Sequence, residues 1–568
     1  MVEIVTVLVA ALLMIAGAAV AAPKLRIAAP LLLVLVGIAV SLAPWPGDVV
    51  IEPDWILEGL LPPLLYASGV AMPTMNFRRE FRAISSMSVV LVVVSALLLG
   101  LLFAWLIPGI GFVWGVALGA IISPTDAVAT SIIKGTRVPG RVLVLLDGES
   151  LLNDATALVV LRTAVVATAA AFSFGGAVGT FAYSVAVAVA VGVAIGFGNL
   201  AVRRRVGDST VNTILSFTVP FVASVPAELL GGSGLVAAVV AGLVTGVRAP
   251  RVLPARHRIS DAQNWASVGL VLEGLIFLGM GLELSTVLRE VEQEHAGIGS
   301  AVGIAAVALL ATLLIRAGYV APLLFGLGRR SKQWEEARPR AEDWRDRLAA
   351  GEPILGIDRD GPTGPRETNR PASGEPAASR RDRDRPARPA NPRDLARMTT
   401  RVRRMLADIQ YFLDQPLGPR EGVVVVWAGM RGAVTVAAAQ TLPADTPQRA
   451  LLVFVAFAVA AMSLLVQGGT IGLLVTRLFP AGDEASRLRE ETEQRGQLLA
   501  LLDEVEQSAP RADGQSDKQY RLTILTAQRN ALLDARDEGT VDADTLTAAL
   551  TGLDVKQMAL ELSGGPDG

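Results

Sequence analysis

Four residues with polar side chains interrupt an otherwise apolar stretch near residue 150. The segment DGESLLNDATALVV (147–160) contains Glu149, Ser150, Asn153 and Asp154. On a helix, residues four apart share a face, so Ser150 lies one turn before Asp154. A hydroxyl and a carboxylate on one face provide oxygen ligands for a hard cation. The spacing therefore predicts a cation site around Asp154.

Two other segments combine a charged side chain with residues that break helices. In ISPTDAVAT (122–130), Pro124 removes a helix hydrogen bond, which predicts a break beside the Asp126 carboxylate. In WAGMRGAVTVAAA (427–439), two glycines flank Arg431. Interrupted helices in corresponding positions of two repeats point to a midplane site in a secondary transporter. We therefore expect two inverted repeats whose interrupted helices cross, with Asp126 and Arg431 offsetting the half-helix dipoles.

The composition of the chain places these motifs in a membrane. Of 568 residues, 52% are hydrophobic and 18% are charged, with most of the charge in 329–421 and 480–568. This pattern predicts an all-α polytopic membrane protein in contact with the lipid bilayer, with no sign of nucleic-acid binding. The chain has no cysteine, and its two histidines, His257 and His295, fall in predicted loops. A proton carried inside the membrane must then sit on a carboxylate.

Apolar segments of about 20 residues, the length that crosses a bilayer, occur at thirteen positions. They are 2–22, 25–44, 54–74, 85–107, 111–133, 142–171, 176–202, 210–229, 233–247, 264–284, 298–326, 421–441 and 449–479. Basic residues concentrate in alternate loops, and the loops between are acidic or nearly neutral. By the positive-inside rule, this alternation predicts an N-terminus outside and a C-terminus in the cytoplasm.

The charged segments divide the chain into four parts. We predict transmembrane spans in 1–328, a largely disordered cytoplasmic insertion at 329–420, transmembrane spans in 421–480 and a cytoplasmic helical tail at 481–568. The two ends of the insertion, 331–350 and 393–414, have helical spacing and are expected along the membrane surface.

The remaining charges within the spans need partners or water. Glu149 needs a cation beside it to stay ionised in a low dielectric. Two arginines in apolar spans, Arg316 and Arg431, are candidates, and the choice between them is open. Glu273 lies deep in its span with no assigned role, whereas Glu283 lies near an outer end, where we expect it to be solvated.

The three motifs, in this order, resemble those of the monovalent cation/proton antiporters of the NhaP and sodium/proton exchanger type. LPPLLYASGVAMPTMNFRREF (61–81) fits their bacterial branch. The resemblance implies that Asp154 alternately binds the cation and the proton. It implies the following neighbours of a bound Na⁺: oxygens from Ser150, Thr125 and Asp126, with Asn153 as the neutral member of the Asn–Asp pair.

The same resemblance implies a structural framework for the site. Glu149 would pair with Arg316, and Arg431 would stabilise the crossing of the interrupted helices. Similar proteins have thirteen spans and form homodimers with a dimer domain and a mobile core domain. At Ala67, where many relatives carry an acid, this chain offers no ligand, and nothing from the family transfers to 329–420.

We expect exchange of Na⁺, with Li⁺ or K⁺ as alternatives, for H⁺ across the plasma membrane, serving pH homeostasis. One proton is expected to replace one cation without net charge, because Asn153 stands where a second carboxylate would titrate. The chain has no GxxxxGK[ST] motif, so an ion gradient must drive transport, and we expect neither a cofactor nor an enzymatic activity. Three alternatives are a cation channel without proton coupling, an intramembrane aspartyl protease using Asp126 and Asp154, and a sensor.

Overall fold

The computed structural model describes residues 2–25, 27–43, 52–134, 136–169, 174–293, 297–349, 392–480, 484–539 and 541–563. All regular structure within these residues is helical. Several of the helices are long and apolar enough to cross a membrane. The predicted class, an all-α multi-pass membrane protein, is confirmed.

The first part of the chain forms nine helices. They are α1 (Val2–Leu25), α2 (Ala29–Ser41), α3 (Leu61–Ala71), α4 (Thr74–Ser85), α5 (Val92–Leu106), α6 (Gly111–Ile122), α7 (Val128–Ile133), α8 (Gly140–Ala169) and α9 (Phe174–Arg203). A π-helical turn, Trp55–Leu60, leads into α3, and a second, Ser86–Leu91, joins α4 to α5. Short π-helical turns inside longer helices often mark functional sites.

The rest of the chain forms thirteen helices. They are α10 (Ser209–Leu229), α11 (Gly234–Val252), α12 (Ala255–Leu282), α13 (Leu284–Gln293), α14 (Ile298–Ala349), α15 (Pro392–Asp414), α16 (Pro419–Trp427), α17 (Ala433–Gln440), α18 (Arg449–Ser463), α19 (Gly469–Leu478), α20 (Glu484–Ser508), α21 (Asp517–Glu538) and α22 (Ala543–Leu562). A third π-helical turn, Leu464–Gly468, joins α18 to α19.

Helices lie at all thirteen predicted span positions. In the described part of the chain, nine helical stretches are long and apolar enough to cross a membrane, and three more, Ala29–Ser41, Trp55–Ala71 and Gly111–Ile122, are apolar but shorter. The remaining position is the interrupted pair α16 and α17. The count of thirteen spans and the inverted repeats stay predictions.

The helices approach one another closely where glycine faces a backbone. A Cβ added to Gly115 of α6 would lie 2.5 Å from the carbonyl oxygen of Gly100 in α5. Membrane helices associate largely through such small residues, because lipid gives no hydrophobic drive for helix pairing. The pair α5–α6 is thereby fixed beside the interruption that follows Ile122.

Three expectations from the sequence are wrong. His257 lies in the first turn of α12 and is buried, because that helix begins at Ala255, before the apolar segment; His295 lies outside the described residues. Glu283 is only 3% exposed, because α13 continues the helix past it and packs through buried Val287.

The third wrong expectation concerns the start of the insertion. Residues 331–349 do not form a separate surface helix but continue the membrane helix α14, which has 52 residues and a length of about 78 Å. Helix α15 packs against this extension, and Trp334 stacks on Phe412 with ring centroids 6.2 Å apart. Residues 350–391 lie outside the described part of the chain.

Helices α20, α21 and α22 form a tail bundle, a small group packed around the buried side chains of Leu498, Leu532, Leu546 and Leu553. The bundle rests on the ends of membrane helices. Arg79 of α4 donates to the carbonyl oxygen of Gly539 at 3.0 Å, and Arg258 of α12 pairs with Asp554.

Candidate ion-binding site at the helix crossing

The two interrupted helices meet at a helix crossing formed by residues 123–127, between α6 and α7, and 428–432, between α16 and α17. The backbone N–H of Asp126 donates to the carbonyl oxygen of Met430 at 2.8 Å. The Asp126 carboxylate accepts from the backbone N–H of Val128 at 3.1 Å, at the start of α7. A carboxylate at a helix N-terminus interacts favourably with the helix dipole.

The carboxylate of Asp126 also lies against the start of α17. A Cβ added to Gly432 would lie 1.4 Å from Asp126 Oδ2. Only glycine leaves room for this approach, although the backbone of Gly432 (φ −119°) is open to any residue. One carboxylate thus faces the N-termini of both half-helices that begin at the crossing.

Two buried arginines satisfy the carbonyl groups where the preceding half-helices end. Arg431 donates from Nε to the carbonyl oxygen of Ile122 at 2.9 Å and from Nη1 to that of Gly429. Arg316 donates from Nε to the carbonyl oxygen of Val425 at 2.9 Å. Positive charge is favourable at a helix C-terminus. The crossing therefore carries its negative charge at helix starts and its positive charge at helix ends.

Arg316, rather than Arg431, is the arginine beside Glu149. Both carboxylate oxygens of Glu149 accept from the Arg316 guanidinium, one of them at 2.7 Å, and both side chains are 2% exposed. Thr125 donates its hydroxyl to Glu149 at 3.3 Å. Asn153 donates from Nδ2 to the carbonyl oxygen and the hydroxyl of Thr125, at 3.0 and 2.7 Å. These contacts attach α8 to the interruption after α6.

Asp154 stands apart from this hydrogen-bonded group. It is 9% exposed and lines a narrow crevice together with Pro124 of the interruption and Val434 and Ala438 of α17. In the part of the chain that the structure describes, no hydrogen bond reaches the side chain of Asp154 or that of Ser150. Asp126 is near enough to Asp154 for their charges to interact.

The predicted ion-site residues therefore divide into two groups. Thr125 and Asn153 belong to the hydrogen-bonded group around Glu149, while Asp126 stands at the half-helix N-termini, near Asp154. Ser150 is partly exposed one turn before Asp154. Glu273, which had no assigned role, is near enough to Asp126 for a charge interaction.

Sequence reasoning missed two buried polar residues of the last span. Ser463 and Gln467 contact the crossing from the junction of α18 and α19, and both are fully buried. They stand four residues apart in an apolar segment. The same spacing argument that selected Ser150 and Asp154 would have found them.

Comparisons with known proteins agree with this architecture. The family described as "Sodium/hydrogen exchanger, transmembrane" matches residues 8–357 and 402–477. An uncharacterised Na⁺/H⁺ exchanger of Escherichia coli is 35% identical; the match covers 46% of this chain and 50% of that protein, so the chain spans half the length of this relative. An uncharacterised Na⁺/H⁺ exchanger of Mycobacterium tuberculosis is 26% identical, and the match covers 94% of this chain and 92% of that protein.

A further relative and a solved structure are also similar. A sodium, potassium, lithium and rubidium/H⁺ antiporter of Bacillus subtilis is 28% identical across 47% of this chain and 41% of its own length. The sodium proton antiporter MjNhaP1 from Methanocaldococcus jannaschii superposes with a TM-score of 0.55 at 15% identity, covering 84% of this chain and 98% of that one. The structural likeness shows a shared fold, and the family match covers most of the membrane region. This chain belongs to the sodium/hydrogen exchanger family.

Proposed function

We propose that this chain exchanges Na⁺ for H⁺ by competition of the two ions for Asp154. One observation carries the proposal. Glu149, Arg316 and Arg431 all have charged or backbone partners at the crossing, whereas no hydrogen bond reaches the buried Asp154 carboxylate in the described part of the chain. A buried carboxylate without a partner is unfavourable when charged, so it must take up a proton or a cation. Membership in an exchanger family makes the chain a secondary transporter rather than an enzyme.

The neighbours of Asp154 suit this role. Asp126 lies near enough to bring a second carboxylate to a Na⁺ ion beside Asp154, and we propose Ser150 and Thr125 as further oxygen ligands, the hard ligands that such cations prefer. Asn153 is engaged with Thr125 and carries no titrating proton, so it holds α8 in place without adding charge. With one carboxylate cycling, one proton replaces one cation, and the exchange is electroneutral.

The membrane arrangement is part of the proposal. We place thirteen spans across the plasma membrane, with the N-terminus outside and the tail bundle in the cytoplasm. The alternation of basic loops supports this orientation. A homodimer and a role in pH homeostasis follow from the resemblance to the family. The B. subtilis relative is named for four alkali cations, so K⁺, Li⁺ and Rb⁺ belong in the substrate test with Na⁺.

The first test replaces Asp154, the residue proposed to bind the cation and the proton in turn. Wild type and Asp154→Asn are reconstituted in liposomes containing a pH-sensitive dye, and each alkali cation is added outside. We expect dequenching with wild type and none with Asp154→Asn, because an amide neither titrates nor balances a bound cation. Glu228→Gln, which neutralises a half-buried carboxylate on α10, is the matched control and should keep exchange. Cation-driven proton flux through Asp154→Asn would remove this residue from the mechanism.

A second measurement tests the stoichiometry and the channel alternative. With Na⁺ as substrate, a potassium diffusion potential is clamped with valinomycin. Electroneutral exchange predicts the same initial rate at every potential, and protons should raise the apparent KM for Na⁺ in proportion to their concentration. A rate that follows the potential would mean that a second carboxylate titrates, with Asp126 the first candidate. Na⁺ flux without any proton movement would indicate a channel.

A further inference from the structure

Two fully buried polar side chains lie where the last span changes its helical geometry. Ser463 ends α18, and Gln467 lies in the π-helical turn Leu464–Gly468. Each has no exposed surface. Burying a hydroxyl and an amide is unfavourable unless both are hydrogen-bonded, so their partners indicate their purpose.

Their partners lie on both sides of the interruption between α16 and α17. The backbone N–H of Arg431 donates to Ser463 Oγ at 2.9 Å, and the Ser463 hydroxyl donates to Gln467 Oε1 at 2.5 Å. Gln467 Nε2 then donates to the carbonyl oxygen of Trp427 at 2.8 Å. Trp427 is the last residue of α16, and Arg431 precedes the start of α17.

This chain of three hydrogen bonds replaces those that a continuous helix would make. The last carbonyl groups of α16 and the N–H groups before α17 lack partners within a helix. Ser463 and Gln467 satisfy one group on each side of the interruption and fix the distance between them.

The connection continues to the proposed ion site. Arg431, held by its backbone to Ser463, donates its guanidinium to the carbonyl oxygen at the end of α6. Beyond Arg431, α17 supplies Val434 and Ala438 to the wall of the Asp154 crevice. A shift of Arg431 would therefore move both interruptions and the wall that faces the carboxylate.

We propose that Ser463 and Gln467 are positioning residues that set the cation affinity at Asp154 by holding the interrupted helix through Arg431. This inference rests on the proposed function. Neither residue contacts the ion. Both act by holding α17, which supplies part of the wall that faces Asp154.

The test uses Ser463→Ala, Gln467→Met and the double variant in liposomes. Each single change removes two of the three hydrogen bonds and leaves buried groups unsatisfied, so we expect the apparent KM for Na⁺ to rise about tenfold. The double variant should show nearly the same KM as the singles, since both act on one chain of hydrogen bonds. Ser463→Thr, which keeps the hydroxyl, should restore the wild-type KM.

Thr476→Val is the matched control. Thr476 lies in the same span and is exposed, and its hydroxyl donates to the carbonyl oxygen of Leu473 within α19 at 2.9 Å, away from the interruption. We expect its KM to equal that of wild type. A loss of melting temperature with unchanged KM in Ser463→Ala and Gln467→Met would reduce both residues to a structural role and overturn the proposal. Failure of both variants to fold would do the same.

A binding measurement separates this inference from the proposed function. In detergent, a bound cation stabilises the native state by RT ln(1 + [Na⁺]/Kd), so the melting temperature keeps rising with the Na⁺ concentration above Kd. The Na⁺ concentration that gives the same rise in melting temperature should be about tenfold higher in Ser463→Ala and Gln467→Met than in wild type, even if transport fails for other reasons. Wild type that neither transports nor is stabilised by Na⁺ contradicts both proposals. Wild type that does both, with unaltered variants, contradicts only this one.

Discussion

Charges at the helix crossing and charges under the tail bundle are arranged in opposite ways. At the crossing, Glu149 and Arg316 are each 2% exposed and bind each other through two hydrogen bonds. Under the tail bundle, Arg251 pairs with both Asp534 and Asp537, and these side chains are 39%, 68% and 41% exposed. The first pair is excluded from solvent, whereas the second group is solvent-exposed.

The difference shows why a count of ion pairs says little about stability. A buried charge that loses its partner keeps its desolvation cost, whereas an exposed charge regains water. Asp554 lies between the two extremes, because it is 9% exposed and accepts from both Arg258 and Arg529. If exposure decides the cost, substitutions in these three places should rank in the same order.

The largest effect is expected at the crossing. Glu149→Gln and Arg316→Ala should each lower the free energy of unfolding by about 3–5 kcal/mol, because each leaves an uncompensated buried charge. The double variant should cost less than the sum of the two. Melting temperatures in detergent measure this, with Glu149→Gln and Arg316→Ala compared in a double-mutant cycle. Strictly additive losses would contradict the pair.

A second large effect is expected where the carboxylate of Asp126 meets α17. Gly432→Ala should lower the free energy of unfolding by about 3 kcal/mol, since its Cβ would fall 1.4 Å from Asp126 Oδ2 and the crossing must open. Gly469→Ala is the control. A Cβ there meets nothing within 4 Å, so alanine should be neutral or slightly stabilising in the helix. Equal melting temperatures for the two variants would show that the crossing tolerates expansion.

Much of this comparison could be predicted from sequence, because the rules that apply inside a membrane are strict. Pro124 and the glycines around Arg431 predict two interruptions, and the structure places both where predicted. Two arginines were candidates for Glu149, and spacing alone could not choose between them. The choice depends on which arginine faces α8, a tertiary fact that helix periodicity does not contain.

Other features could not be predicted from the sequence, because they also depend on tertiary contacts. Glu283 lies near a predicted span end, yet it is buried at the junction of α12 and α13, and no sequence rule states how the chain continues past a charged residue. The division between Asn153, which binds Thr125, and Asp154, which faces the crevice, arises because adjacent residues on α8 point in different directions. The pairing of the tail bundle with Arg79 and Arg258 joins residues hundreds of positions apart.

An intermediate effect is expected at Asp554. Asp554→Asn leaves Arg258 and Arg529 without their shared carboxylate. Burial already leaves the charge of Arg529 poorly solvated and so lowers its pKa. Hydrogen bonds to charged groups contribute about 1.5–3 kcal/mol. We therefore expect the backbone amide hydrogens of α22 to exchange faster, by the factor that this loss of free energy implies. The hydrogen-exchange rates of the helices at the crossing should not change. Unchanged exchange in α22 would mean that the two arginine pairs at Asp554 do not stabilise this helix.

The smallest effect is expected at Arg251, and it should also depend on salt. Exposed ion pairs contribute about 0.2–1 kcal/mol and are screened at physiological ionic strength. Arg251→Ala should therefore change hydrogen exchange in α21 only slightly at low salt and not at all in high salt, where Asp554→Asn keeps most of its effect because its charges are buried. The neighbouring bond from Arg536 to the carbonyl oxygen of Val247, at 3.2 Å, holds the same end of α21 and remains intact in this variant. A loss at Arg251 as large as that at Asp554, or one that high salt leaves unchanged, would break the ranking by exposure. Water would then have less access to the ion pairs between α11 and α21 than the exposed fractions of their side chains indicate.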